Sequence, residues 1–152
     1  MTEVYRTEPL AGAGESGTAL VIHCSDPRYQ VHFHEFLRLG LGLERYGLLV
    51  VPGGAQFLTL ADYLPKFSWA GWRWVKFIGD IAPPTRVVLI AHDDCLWYRH
   101  VRGRQDNAAM REKQVADLRR VGEALRERLG ELKVELYYAR LVDAAASFEA
   151  VK

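Results

Sequence analysis

Two short apolar runs constrain the fold most, because each is uninterrupted and each stops abruptly at chemically reactive side chains. Ala19-Leu-Val-Ile22 runs into His23, Cys24, Ser25, Asp26, Pro27 and Arg28, and Val87-Val-Leu-Ile-Ala91 runs into His92, Asp93, Asp94 and Cys95. Runs of this length without polar alternation read as strands buried on both faces, as in a parallel sheet. Tyr46-Gly-Leu-Leu-Val-Val51 has the same character, and Lys133 to Ala139 supplies a fourth strand with Val134, Leu136 and Tyr138 alternating.

Helical patterns separate the strands. Val31, Phe33, Phe36, Leu37 and Leu41 approximate helical spacing between Tyr29 and Leu41, and an aromatic-rich helix is predicted from Thr59 to Ile81. A long amphipathic helix from Asn107 to Leu129 carries Met110, Gln114, Leu118, Val121, Leu125 and Leu129 on one stripe, with Gly130 placed to cap it. Pro83-Pro84 marks the sharpest boundary. Strand, helix, strand, helix, strand, helix, strand calls for a three-layer α/β fold: a mainly parallel four-stranded central sheet with helices on both faces. Residues 19–152 are read as a single domain, residues 1–18 as a loose polar leader rich in glycine, and the stretch from Arg140 to Lys152 as a tail without assigned structure.

Composition narrows the function classes. The 152 residues are 49% hydrophobic and 26% charged with a net charge of +1, which suits a globular domain and argues against a nucleic-acid partner. No stretch approaches the roughly 20 apolar residues of a membrane span, and Met1 to Leu10 lacks the apolar core of a signal peptide, so a cytoplasmic protein is expected. With two cysteines in a reducing compartment, metal or redox chemistry is favoured over a structural disulfide.

In an open parallel sheet, ligands bind at the carboxyl ends of the strands. Cys24, His92 and Cys95 meet that description and offer two thiolates and an imidazole, a set that suits zinc and leaves a fourth position free. His32 and His34 fall on a helix, where residues two apart diverge, and are read as surface groups. Phe67, Trp69, Trp72, Trp74 and Phe77 are read as core and dimer-interface packing. His23 alternates away from Cys24 and is read as packing.

Cys24-x-Asp26-x-Arg28 together with His92-x-x-Cys95 resembles the zinc signatures of the β-class carbonic anhydrases. The resemblance implies that Cys24, His92 and Cys95 bind Zn²⁺, that Asp26 and Arg28 form the dyad orienting the metal-activated water, and that carbon dioxide and bicarbonate are the small-molecule substrates. In that family the aspartate can instead swing onto the metal and close the site. This chain departs from the family pattern at Leu96, where glycine usually follows the cysteine, and at Val51-Pro-Gly-Gly-Ala-Gln56, where the usual segment is close to Arg-Asn-Ala-Gly-Asn. Gly53, Gly54 and Gln56 are the expected substrate contacts, and a homodimer is expected. The alternatives are a zinc enzyme acting on carbonyl sulfide or carbon disulfide, a zinc-binding domain with a structural or regulatory role, and a dithiol redox protein using Cys24 and Cys95.

Overall fold

A computed structural model describes residues 5–6, 18–62, 64–102 and 106–152. Most of the expected leader lies outside those residues. In chain order the elements are β1 (Thr18–Cys24), α1 (Gln30–Glu35) running into a π-helical turn (Phe36–Gly40), β2 (Tyr46–Val51), a 3-10 segment (Gly54–Asp62), α2 (Pro65–Ile81), β3 (Pro84–His92), α3 (Leu96–Arg102), α4 (Asn107–Leu129), β4 (Lys133–Val142) and β5 (Ala145–Ala150).

The sheet order is β2-β1-β3-β4-β5. The first four strands are parallel, and β5 returns antiparallel along β4. Among the described residues the sheet therefore has five strands where four were expected. The final strand follows a tight turn in which Asp143 and Ala144 both take positive φ, 49° and 65°. That is the backbone of a two-residue hairpin, built here without the glycine that usually announces one.

Alternation along β1 and β3 explains the unbroken apolar runs. Leu20, Ile22, Val87 and Leu89 face one way and pack with Phe57 and Leu58 of the 3-10 segment, Val75 of α2, and Leu118, Val121 and Leu125 of α4. Ala19, Val21, Val88 and Ile90 face the other way onto Tyr29, Phe33 and Leu37. Both faces are thus covered, giving three layers, and each fully buried aliphatic side chain contributes about 1.5–3 kcal/mol. The helical region after β2 divides in two, because Pro65 takes a first-turn position and starts α2 afresh. Helix α4 has its expected bounds; the Asp106 side chain accepts the Ala109 N–H at 2.7 Å, and Gly130 ends the helix at φ 85°.

Arg86 of β3 and Glu135 of β4 form a two-pronged ion pair between neighbouring strands. Burial pushes the Glu135 carboxyl up, but hydrogen bonds from Arg86 and Lys133 outweigh it and leave the group below its ordinary value of 4.5. A carboxylate depressed in the folded state stabilises above its unfolded pKa, and that contribution is lost as pH falls through the folded value. Glu135→Gln is expected to cost about 1–2 kcal/mol at neutral pH and progressively less below about pH 4. Urea unfolding midpoints across that range check it.

Candidate metal centre

Strand register builds the site. His23 lies beside Ile90 in the parallel β1–β3 ladder, so the next residues, Cys24 and His92, emerge at the same sheet edge. After His92 the chain reverses through Asp93 and Asp94, the latter at φ 53°, and returns Cys95 to that edge before α3 begins. The ligand atoms of Cys24, His92 and Cys95 all lie within 4.8 Å of one another, and the two sulfurs are 3.8 Å apart. All three residues are buried.

Hydrogen bonding prepares each donor. The Nδ1 of His92 lies 2.7 Å from the carbonyl oxygen of Asp93, which can only accept. Nδ1 therefore carries the ring proton and Nε2 presents a lone pair, yet Nε2 is buried without a hydrogen-bond partner among the described residues. An orphaned imidazole nitrogen facing two thiols is the arrangement a soft divalent cation completes. The Cys95 thiol hydrogen-bonds the Cys24 sulfur and draws the Cys24 pKa below the ordinary thiol range, against burial, with help from His92 and the Gly53 amide. That shared proton, together with burial, raises Cys95. Together the two sulfurs readily hold a single negative charge.

Asp26 and Arg28 stand at the same edge. Arg28 grips Asp26 through Nε to Oδ1 at 3.0 Å and Nη2 to Oδ2 at 2.7 Å, and the Arg28 backbone N–H adds a third bond to Oδ1. These bonds hold the Asp26 carboxyl below the usual carboxylate range against the opposing effect of burial. Arg28 is pinned from its other side by Asp94, through Nη1 to Oδ2 at 3.0 Å and Nη2 to the backbone carbonyl at 2.9 Å. Asp94 reads as a mere spacer in the sequence and turns out to be the second anchor of this guanidinium. The Gln30 side chain steadies the turn by donating to the carbonyls of Cys24 and Asp26.

Gly53 donates its N–H to the Cys24 sulfur at 3.3 Å, with φ 78°. A Cβ at Gly54 would lie 3.1 Å from the Cys24 backbone nitrogen, so this turn is pressed against the end of β1. Gln56 is fully buried, with neither side-chain amide atom hydrogen-bonded among the described residues. A cleft of about 310 Å³ opens over the centre, with Cys24 and Asp26 at its base, Pro27, Pro52, Leu96 and Trp97 as apolar walls, and His100 at its margin. Trp97 packs against Cys24, Cys95, Tyr98 and Met110. Its role is not readable from the chain, since only the fold brings it onto Gly53. His23 points to the opposite face, where its ring meets Phe33 at 4.6 Å. His32 and His34 lie on α1 away from the cluster.

No protein-family model matches the chain, and no curated protein matches it in sequence. Solved structures do match in fold. A structure described as two tetrameric β-carbonic anhydrases from the ascomycete Sordaria macrospora aligns at TM-score 0.56 and 14% identity, covering 90% of this chain and 82% of that one. The β-carbonic anhydrase CafD of Aspergillus fumigatus aligns at TM-score 0.53 and 14% identity, covering 97% and 94%. A carbonic anhydrase from Glaciozyma antarctica aligns at 0.51 and 13%, covering 86% and 80%. With that likeness spanning nearly the whole sheet and its helices, and with a Cys-His-Cys group able to hold a metal ion at the carboxyl edge, the chain carries the fold of the β-carbonic anhydrases.

Proposed function

We propose that this chain is a divergent β-carbonic anhydrase that binds zinc through Cys24, His92 and Cys95 and hydrates carbon dioxide to bicarbonate. The observation that carries the reading is the convergence of two sulfurs and an orphaned imidazole nitrogen within 4.8 Å at the carboxyl ends of adjacent parallel strands. Bound there, zinc supplies Lewis acidity and acidifies water at the coordination position that three protein ligands leave open. The protein's own groups do the rest.

Asp26 stays ionised because Arg28 holds it, and its two oxygens are not equivalent. Oδ1 accepts two bonds from Arg28 while Oδ2 accepts one, so Oδ2 keeps the spare lone pair for a hydrogen bond from the attacking water. Arg28, fixed between Asp26 and Asp94, keeps that carboxylate from turning away. The apolar walls from Pro27, Pro52, Leu96 and Trp97 suit a small uncharged electrophile and limit competing water. A cytoplasmic setting fits the centre, because both thiols must stay reduced.

Metal analysis followed by stopped-flow hydration on the same sample tests the reading. The expected result is about one zinc per chain with hydration well above the buffer rate. Stoichiometric zinc without hydration would instead assign the centre a structural or regulatory role. Asp26→Asn separates positioning from ligation. It should leave zinc content unchanged and lower kcat/KM by about 10–100-fold, since it alters a group around the ligands and not a ligand.

A further inference from the structure

We propose that Asp117 of α4 is a positioning residue for the Cys95 sulfur, acting through the Tyr98 hydroxyl to fix the short helix on which that sulfur rides. The proposal rests on the reading of Cys95 as a metal ligand and adds to it a residue on a different element.

Local structure couples Cys95 to α3. The residue stands immediately before the helix, where a capping side chain accepts backbone N–H groups of the first turn. Here the acceptor is sulfur: the Trp97 and Tyr98 N–H groups donate to it, and the Arg99 N–H bonds the Cys95 carbonyl at 3.2 Å. The sulfur therefore turns with the helix.

Seven residues do not hold a helix in water, so α3 takes its orientation from what it packs against. Among its described residues only Tyr98 is buried. The Tyr98 ring lies with Cys24, Cys95 and Met110, and its hydroxyl donates to Asp117 Oδ2 at 3.0 Å. Asp117 is 2% exposed, and its other oxygen is held by Lys113, one turn earlier on α4. A carboxylate taken out of water is unfavourable unless its oxygens are bonded, and an aliphatic side chain would pack this position without that cost. What the carboxylate adds is direction, a charge-assisted bond that fixes where the phenol sits.

The support behind that bond is α4, whose Leu118, Val121 and Leu125 pack in the main core with Leu20 and Ile22 of β1 and Val87 and Leu89 of β3. Lys113, Asp117, Tyr98 and Cys95 thus form a bonded line from a well-packed helix to a ligand atom. The ties that Arg99 makes, to Asp94 and Asn107, are open to solvent, where ion pairs contribute little.

Cobalt titration of the full chain, in competition with a chelator, tests the proposal. Tyr98→Phe removes one oxygen and keeps the ring; it should raise the cobalt dissociation constant about 10–100-fold and shift the thiolate-to-cobalt charge-transfer band. Asp117→Ala should do the same, whereas Asp117→Asn keeps an oxygen to accept the phenol proton and should restore both toward wild type. Glu135→Gln, which lowers stability near the start of β4, should move neither. Wild-type affinity and spectrum in Tyr98→Phe, or an equal loss in Glu135→Gln, overturns the proposal. If Asp117→Ala fails to fold, the comparison of Tyr98→Phe with Asp117→Asn decides. A wild type that takes up no cobalt defeats the metal reading by itself, and thiol labelling of the metal-free protein then decides whether the line holds Cys95. Tyr98→Phe should speed labelling of Cys95 relative to Cys24 about tenfold, through easier local opening, and an unchanged ratio overturns the proposal.

Discussion

Cys24→Ser is expected to abolish zinc retention and reduce hydration to the buffer rate. A serine hydroxyl is a poor zinc ligand beside a thiolate, and structural zinc sites draw about 10–16 kcal/mol of apparent binding energy from their ligands at neutral pH. The substitution also disturbs groups that do not touch the metal. The Cys24 sulfur accepts the Gly53 N–H and shares a proton with Cys95, so both partners exchange a large, readily charged acceptor for a neutral hydroxyl on a shorter bond in a buried place. Thermal unfolding with and without a chelator gives an independent readout. Ligand binding to the folded state alone raises stability by mass action. The wild type should therefore melt lower after chelation, and the variant should melt at the same temperature either way. A variant that keeps stoichiometric zinc, or a wild type blind to chelation, would remove Cys24 from the centre. Binding must also displace the proton that Cys95 holds, so zinc affinity should rise with pH.

Gly53→Ala is the second large effect, expected to cost about 2–4 kcal/mol and to weaken metal retention. Two penalties combine. The residue sits at φ 78°, which disfavours any L side chain, and a Cβ there would lie 2.2 Å from Cδ1 of Trp97. The indole must move, and with it the wall it forms beside Cys24 and Cys95. Trp97→Ala in the same chain should recover the steric part and leave the backbone part, so the pair should show strong coupling in a double-mutant cycle. Urea midpoints and zinc content of the four proteins measure it; additive costs would show that Trp97 is not pressed on Gly53.

The contrast between these two residues shows what the chain discloses before it folds. The convergence of Cys24, His92 and Cys95 was legible because they follow the ends of two apolar runs, and parallel pairing brings such ends together whatever lies between them. The bounds of α4 were legible from its stripe and from Gly130. Trp97 was not, because its contact with Gly53 joins residues far apart in sequence with no local pattern to announce it. Asp94 was hidden for the same reason, its partner Arg28 lying on another strand's exit. α3 has only seven residues, too few for periodicity to speak. β5 escaped because its hairpin bends at Asp143 and Ala144, with alanine standing where the turn chemistry calls for glycine. Of the residues expected to contact substrate, the structure shows the Gly53 amide on the Cys24 sulfur and Gln56 in the interior.

The late hairpin is fastened to the rest of the molecule by a single side chain. Glu149 on β5 is tied to Arg111 of α4 and to Arg140 of β4, so one carboxylate clips the last strand both to its neighbour and to the helix packed above it. Peeling that strand away would strand two guanidinium groups at once, which makes the return strand part of the sheet and not a loose tail.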